Sequence, residues 1–394
     1  MTKKTRAGRS ILCLFLILCT LFPTGCVNLQ LADQVPNENE ETKPPKEELQ
    51  GELLPSPDVL LYGKTIASGT VLYAYEQLEE SIARTIPAST IYFDREKQVT
   101  EEDLKTAARL FTSDRPDCFW FQKNYTFTTI ENIVIECQPT YNFTGDKLEA
   151  AREELETAVD SFLTALPEGQ EPYQIALSLH DALAKHVKYE KVGYHQTAYG
   201  ALVDEKAVCA GYAAAYQLLL QRAGIPSYTV TGTAIDPSDA LSTEPVAHAW
   251  NAVWLSDGEC VFTDVTWDDA LDYTYHYYFN LSFEEMEQDH VTDTAYFEPI
   301  SCNHNTYSYF DRTLSVNVDD TATASRLAPL FRKRVDAPGY EAVLYYTGKA
   351  DFSNWFRPLA SSLLWHIKHG TGNASCTSRW ISKGHEYYVV LIPN

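Results

Sequence analysis

The sequence predicts an α+β fold, in which amphipathic helices precede a run of antiparallel strands. Residues 147–166 and 173–190 place apolar side chains at helical spacing. Residues 227–235, 248–256 and 260–269 are instead rich in β-branched and aromatic side chains, which is typical of strands. Helices followed by strands favour an α+β fold over a parallel βαβ array.

The N-terminus is typical of an exported protein. A basic leader precedes an apolar stretch, residues 11–22, that is too short to span a bilayer. The sequence LFPTGC follows and ends at Cys26, and it resembles a bacterial lipobox, in which this cysteine receives the lipid. We therefore expect a signal peptide at 1–25 and a protein anchored by lipid to the outer face of a bacterial membrane. The alternative is an ordinary signal peptide with an incidental cysteine.

Residues 26–57 are polar, acidic and rich in proline, which predicts a flexible linker. Residues 58–144 mix helical and strand patterns and predict a small N-terminal α+β domain. Its predicted elements are helices at 69–86 and 99–114, a strand at 89–94 and a hairpin at 118–141. Thr100 is the predicted N-cap of the second helix, because acidic residues follow it.

Two further domains are predicted, one at 145–300 and one at 301–394. The first contains the helices and strands named at the outset and is the candidate catalytic domain. The second is a small α+β unit. Its predicted elements are strands at 313–318, 341–346 and 386–392 and a helix at 352–370 that ends at Gly370.

The charge balance excludes several kinds of partner. The formal net charge is -23, and removal of residues 1–25 would bring it to about -27. A chain of this charge approaches phosphate against its own field, so we expect no nucleic-acid partner and no affinity for anionic lipid surfaces. Acidic substrates are disfavoured too, unless their charge is locally compensated.

The cysteines and histidines do not form a metal-binding pattern. The sequence contains no CxxC pair and no HExxH, and its ten histidines are scattered. We therefore predict no metal and no cofactor. Six cysteines remain after Cys26, and we expect Cys209 to be a free thiol, with the pairing of the others left open.

Cys209 begins a predicted core helix that ends at Gly224, with Pro226 just after it. A cysteine at this position lies at the positive end of the helix dipole, which favours its thiolate. The amides of the first turn could also bind an oxyanion. The alternative is a buried structural cysteine, since free cysteines are among the most buried residues.

Two later residues favour the catalytic interpretation. His248 follows Cys209 by 39 residues, and Asp264 follows His248 by 16. If His248 and Asp264 lie on neighbouring strands, the carboxylate can contact one nitrogen of the imidazole. The Cys209 sulfur, at the start of its helix, can then contact the other nitrogen. This is a constellation of nucleophile, base and orienting carboxylate.

Three segments resemble the transglutaminase-like superfamily of papain-like cysteine enzymes. They are SLHDALAKHVKYE at 178–190, AYGALVDEKAVCAGYAAAYQLLLQRAGIPSYTVTG at 198–232 and HAWNAVWLSDGECVFTDVTWDD at 248–269. The resemblance covers residues 145–290 and implies a nucleophile helix packed on an antiparallel sheet. It also implies that Cys209 is the nucleophile, His248 the base and then the acid, and Asp264 the orienting group, in acyl transfer through a thioester.

A second oxyanion donor is needed besides the amide of Cys209. We predict Tyr199, with Gln196 behind it, because this segment precedes the nucleophile; plain packing of Tyr199 is the alternative. Other polar and aromatic residues are expected to be structural. These are Trp250, Trp254 and Trp267 in the core and cleft wall, His180, His186 and His276, and Asp268 and Asp269 in turns or caps.

Three functions fit these features. The first is hydrolysis of peptide or isopeptide bonds by a surface-anchored enzyme, with cell-wall peptides among the possible substrates. The second is a protein-glutamine gamma-glutamyltransferase, which passes the acyl group to an amine and crosslinks proteins. The third is a binding or assembly lipoprotein without catalysis, which an intact Cys209, His248 and Asp264 set argues against.

Overall fold

The computed structural model describes most of the chain between residues 49 and 297. The described residues are 49–235, 244–256, 259–270, 273–274, 276–297 and 309, together with the backbones of strands at 14–17, 314–317, 342–346, 376–383 and 386–393. Most of the predicted signal peptide and linker, and the predicted helix at 352–370, lie outside these residues. No helix among the described residues is long and apolar enough to cross a membrane.

The N-terminal part forms a four-stranded antiparallel sheet with three helices. The strands are β1 (Leu14–Ile17), β2 (Ile91–Tyr92), β3 (Phe121–Ile130) and β4 (Ile133–Tyr141), in the order β1-β3-β4-β2. The helices are α1 (Tyr62–Ile66), α2 (Gly69–Ile82) and α3 (Glu101–Asp114). Thr100 caps α3 as predicted, since its side chain accepts from the amide of Asp103 and the Asp103 carboxylate accepts from the amide of Thr100.

Four helices follow. They are α4 (Asp146–Thr164), α5 (Pro172–His186), α6 (Ala198–Leu202) and α7 (Cys209–Arg222). A short parallel pair joins them, β5 (Lys188–Tyr189) with β6 (Lys206–Ala207). The predicted helix at 147–166 is confirmed as α4, and the helix that begins at Cys209 is confirmed as α7. The predicted helix at 173–190 is confirmed as α5 but is too long, because the chain leaves the helix after His186 and forms β5.

The central sheet is antiparallel. Its strands are β7 (Ser227–Ala234), β8 (Val246–Ser256), β9 (Glu259–Thr263) and β12 (His290–Thr292), in the order β12-β7-β8-β9. Between β9 and β12 lie α8 (Val265–Asp268), the pair β10 (Asp269–Ala270) and β11 (Tyr273–Thr274), and α9 (Phe283–Met286). The predicted strand at 260–269 is therefore too long, because Asp264 ends β9 by capping α8 with its carboxylate.

The C-terminal strands form a separate sheet. They are β13 (Leu314–Asn317), β14 (Ala342–Tyr346), β15 (Cys376–Lys383) and β16 (Glu386–Pro393), in the order β13-β14-β16-β15. β13 and β14 pair in parallel, whereas the other neighbours are antiparallel. The three predicted strands of this region are confirmed.

α7 is the centre of the molecule. All of its residues except Arg222 are buried. Its polar side chains bind backbone carbonyl groups of its neighbours: Gln217 Nε2 donates to Ser113 O over 2.7 Å, and Tyr216 Oη donates to Ala176 O over 3.0 Å. Asn251 on β8 in turn donates to Ala213 O over 2.9 Å. These bonds tie α7 to α3, to α5 and to the sheet.

The N-terminal and central parts share one hydrophobic core. A single cluster of buried side chains includes Leu78 and Phe111 from the N-terminal helices, Leu219 from α7 and Val253 from β8. The predicted domain boundary between residues 144 and 145 crosses this cluster. The N-terminal part therefore supports the helix that carries the candidate nucleophile.

Candidate active site

Cys209 is the first residue of α7 and is only 2% exposed. It is a free thiol, as expected. The N-cap residue is Val208, whose side chain makes no capping hydrogen bond. A helix leaves its first amides without intrahelical partners, and an apolar N-cap cannot bind them. The amide of Gly211 already donates to Val208 O over 2.8 Å, so the first-turn donors without an intrahelical partner are the amides of Cys209 and Ala210.

The loop before α6 approaches the start of α7 closely. The amide of Val208 donates to His195 O over 2.9 Å. A Cβ atom added to Gly211 would lie only 2.4 Å from His195 O. Glycine at this position therefore permits the contact between loop and helix that fixes the approach to Cys209.

His248 lies on β8, the strand between β7 and β9. It is 5% exposed, and the indole of Trp267 stacks on its ring at a centroid distance of 4.7 Å. Its Nε2 atom lies 2.6 Å from Asp264 Oδ2. The Cys209 sulfur, at the start of the adjacent helix, is close enough to interact with the imidazole and raise its pKa. The structure thus brings the three predicted residues together.

Asp264 is held by four hydrogen bonds. Its Oδ1 atom accepts from the amides of Thr266, over 2.9 Å, and of Trp267, over 3.3 Å. Its Oδ2 atom lies 2.6 Å from His248 Nε2 and 3.3 Å from His290 Nε2. The carboxylate is 1% exposed, so these partners replace water as its solvation. The same group ends β9, caps α8 and orients His248.

The charges of the site depend on one another. Burial opposes the charged form of His248, but the Asp264 carboxylate and the Cys209 sulfur outweigh it and raise the pKa of His248 to about 10. Burial would likewise raise the pKa of Asp264, but His248 and His290 hold it well below its usual range. The arrangement therefore favours an imidazolium beside the Asp264 carboxylate.

His290 is a member of the site that sequence reasoning did not identify. Its Nδ1 atom lies 2.7 Å from Asp289 Oδ1, and its Nε2 atom faces the same Asp264 oxygen that His248 contacts. It is fully buried and packs against Trp250 and Trp267. His290 is the first residue of β12, directly after Asp289, and no local pattern indicates that this edge strand reaches Asp264.

The predicted oxyanion role of Tyr199 is not supported by its placement. Its hydroxyl donates to Glu154 Oε2 over 2.5 Å, and its ring stacks on Phe119 at 5.1 Å. A hydroxyl has one proton, and this one is already donated to a carboxylate. Tyr199 is thus a packing residue, the alternative that the sequence left open. Gln196 lines a small cavity of about 20 Å³ that also includes Lys123 and Ala214.

The other histidines and carboxylates form a second buried network. His180 contacts Asp181 through Nδ1, over 3.0 Å, and Asp268 through Nε2, over 3.1 Å. His276 Nε2 lies 2.8 Å from Asp181 Oδ1. Asp269 accepts from the Tyr212 hydroxyl. These residues join α5, α7 and the segment after β9, which agrees with the structural roles expected for them.

Two groups of side chains could hold a metal ion by proximity alone. They are His180, Asp181 and His276, and His248, Asp264 and His290, with the ligand atoms of each group within 4.8 Å of one another. In both groups these atoms already form hydrogen bonds within the group. An ion in the second group would break the bond that orients His248. The absence of a metal stays a prediction.

A cavity of about 100 Å³ reaches the residues that follow Cys209 and His248 in the chain. Ala210 and Ala249, the neighbours of Cys209 and His248 in the chain, form part of its wall. Arg109 and Lys123 from the N-terminal part form another part. Sequence reasoning did not connect these two cations with the site, because they precede Cys209 by about 100 and about 85 residues.

Residues 163–265 match the family model described as the transglutaminase-like superfamily. The match includes Cys209, His248 and Asp264. It confirms the predicted resemblance, and the structure has the fold expected from it, a helix carrying the cysteine packed on an antiparallel sheet. No curated protein matches the sequence.

Three solved structures are similar in part. One is described as a "putative cysteine protease" from Cytophaga hutchinsonii, with 16% identity, 36% of this chain and 56% of that chain covered, and a TM-score of 0.24. A second is described as a TGase, with 13% identity, coverage of 50% and 53%, and a TM-score of 0.27. The third is described as a "putative protease" from Parabacteroides distasonis, with 9% identity, coverage of 68% and 60%, and a TM-score of 0.25. The matches thus span between about half and three fifths of these proteins.

We expect the site to make stability depend on pH. The folded-state pKa of His248, about 10, lies above its ordinary value of 6.5, so its stabilisation is complete below pH 6.5 and is lost as the pH rises towards 10. The loss is at most about 1.4 kcal/mol for each pH unit. Urea unfolding of the wild type and of His248→Gln across this range measures it. Parallel pH dependence of the two proteins would contradict the assignment.

Proposed function

We propose that this protein is a cysteine-dependent enzyme that hydrolyses peptide or isopeptide bonds through a thioester. The observation that carries the proposal is the placement of His248 between two partners: Asp264, 2.6 Å from its Nε2 atom, and the thiol of Cys209 at the start of a buried helix. A scaffold does not require a free thiol, an imidazole and a carboxylate in this order. The match of residues 163–265 to a superfamily that includes cysteine-dependent enzymes supports it.

The first half-reaction acylates the enzyme. The Cys209 thiolate attacks the carbonyl carbon of the substrate amide, and the carbonyl electrons move onto its oxygen. The amides of the first turn of α7, which Val208 leaves without a side-chain cap, are placed to stabilise that oxyanion. When the tetrahedral intermediate collapses, the C–N bond breaks, and the amine leaves with the proton that the His248 imidazolium donates.

The second half-reaction releases the acyl group. Neutral His248 accepts a proton from water as the water oxygen attacks the thioester carbonyl, and the C–S bond breaks to return the thiolate and a carboxylic acid. Asp264 stabilises the imidazolium in each half-reaction and keeps the ring in one orientation, because Asp264 itself is fixed by the amides of Thr266 and Trp267. An amine in place of water would give transamidation instead.

Reactivity of the thiol tests the proposal without knowledge of the substrate. We expect iodoacetamide to alkylate Cys209 at about pH 6, where an ordinary thiol with a pKa near 8.5 is almost wholly protonated. His248→Gln should abolish this low-pH reaction. Labelling is located by peptide mass spectrometry, and Cys260, a buried free cysteine on β9, is the internal control. Alkylation of Cys209 only at alkaline pH would argue for a structural cysteine.

Turnover is tested on mixtures of synthetic peptides and cell-wall fragments. Cys209→Ala and His248→Gln should each lower the rate of cleavage by at least about 1,000-fold, the scale of loss for members of a catalytic triad. Cys260→Ala should leave the rate within about twofold, because this thiol packs in an apolar cluster with Val230 and Phe262. Products joined to an added primary amine would instead identify a transamidase. Cleavage that survives Cys209→Ala would disprove the mechanism.

We also propose export and lipid anchoring through Cys26, which the lipobox-like sequence supports. The expected mature protein begins at Cys26 and fractionates with membranes. It lacks β1, which lies in the predicted signal peptide, and keeps β2, β3 and β4 of the N-terminal sheet. In Cys26→Ser the lipid attachment site is lost, so the protein should no longer carry lipid or fractionate in this way. Intact-mass measurement and cell fractionation of the two proteins test this, and unchanged mass and location would contradict it.

A further inference from the structure

A lysine interrupts the apolar face of β3. Alternate residues of a strand share one face, and this face of β3 carries Phe121, Lys123, Tyr125 and Phe127. The three aromatic residues are buried, and Lys123 is half-buried. A lysine in a row of buried aromatic residues loses hydration of its ammonium group, so an apolar residue would pack better there.

The backbone of β3 is distorted at this lysine. The register between β3 and β4 shifts between Phe121 and Tyr125, and Lys123 has a φ angle of +61°. This is the left-handed region, which residues other than glycine seldom adopt. Bulges of this kind redirect a side chain away from the regular strand pattern. Here the distortion coincides with the one charged residue on the inward face.

Lys123 lines the cavity beside Cys209. Arg109, on α3, lines the same cavity. So do Ala210, which follows the nucleophile in the chain, and Ala249, which follows the base. Lys123 is close enough to Cys209 for an ionised sulfur to raise its pKa, although burial and Arg109 outweigh this and lower the pKa to about 8. Two cations from the N-terminal part thus line a cavity that reaches the residue after Cys209, and one of them, Lys123, interacts electrostatically with the sulfur.

Arg109 and Lys123 differ in the partners that compensate their positive charge. Arg109 is held by Thr231 Oγ1 at 3.1 Å, by the ring of Tyr296 at 4.3 Å and by Asp293, whose carboxylate is 3.7 Å away. Within the part of the chain that the structure describes, no carboxylate forms an ion pair with Lys123. In a protein with a net charge of -23, a half-buried ammonium without a carboxylate partner leaves its charge available to an external anion.

We propose that Lys123, assisted by Arg109, binds a carboxylate of the substrate, so that the enzyme acts on acidic peptides whose carboxylate lies close to the amide that Cys209 attacks. This inference rests on the proposed function, since it names the substrate class of the same site. The local cations supply the compensation that an acidic substrate needs against the field of the whole protein. A carboxylate in the cavity would form charge-assisted hydrogen bonds with the ammonium and the guanidinium.

A matched pair of reagents tests for this carboxylate site. Iodoacetate and iodoacetamide transfer similar groups to the same sulfur and differ in that the first carries a carboxylate and the second a neutral amide. The quantity to measure on the full chain is the rate of Cys209 alkylation by iodoacetate divided by the rate with iodoacetamide. Peptide mass spectrometry measures both rates. The ratio cancels changes in the reactivity of the sulfur itself and reports recognition of the carboxylate.

We expect Lys123→Met to lower the ratio by about fivefold, the effect of one unit charge at roughly 4 Å in a hydrated site. Lys123→Arg should retain most of the ratio, because it keeps the charge. Lys105→Met is the matched control, since Lys105 lies on α3 with Arg109 but outside the cavity wall. It removes the same charge from the protein and should leave the ratio unchanged.

Pairs of peptides that differ only in Glu or Gln at one position, called twins below, extend the test to substrates. Among peptides that the wild type cleaves, Glu-containing members should have higher kcat/KM than twins with Gln at the same position, and Lys123→Met should reduce this preference. An unchanged reagent ratio in Lys123→Met would overturn the proposal. So would an equal fall with both reagents, because Lys123 would then act on the thiolate alone.

The outcomes separate the subsite from the proposed function. If Cys209 is not reactive at low pH, the proposed function fails. Both reagents still react slowly with an ordinary thiol at about pH 7.5, below the pKa of about 8 of Lys123, so their ratio can be measured there. In the other case, Cys209 is reactive and peptides are cleaved, but Lys123→Met does not change the ratio. The proposed hydrolase function is then retained, and only the carboxylate subsite is disproved.

Discussion

The hydrogen bond between His248 Nε2 and Asp264 Oδ2 is the interaction on which the site depends. Both groups are almost completely buried, so each charge is stable only while the other is in place. The bond orients the imidazole, which directs its other nitrogen to Cys209. Loss of Asp264 would therefore remove both the orientation and the charge that favour a protonated ring.

The fold provides the rigidity that this bond requires. Asp264 is fixed because its other oxygen caps α8, and His248 is fixed because β8 lies between two paired strands. Cys209 is fixed by α7, whose side chains bind carbonyl groups of α3 and α5. The N-terminal part thus has two connections with the site: it supports α7 in a shared core, and it contributes Arg109 and Lys123 to the cavity.

The sequence predicted features that depend on local patterns or on ordered motifs. The helix that begins at Cys209, the cap at Thr100 and the strand that carries His248 follow from spacing and residue type. The end of β9 was misplaced, because Asp264 uses its carboxylate for a cap inside a segment of strand-forming residues. The contacts of Tyr199 and His290 could not be predicted, since they depend on which distant elements pack together.

The charge state of His248 tests the account most directly. In protein labelled with ¹⁵N-histidine, the nitrogen chemical shifts report whether one or both ring nitrogens carry a proton. At about pH 8, above the ordinary histidine pKa of 6.5, the account predicts that both nitrogens of His248 are protonated, and that Asp264→Asn removes this excess protonation. A neutral His248 ring in the wild type at that pH would contradict the imidazolium on which the proposed chemistry rests.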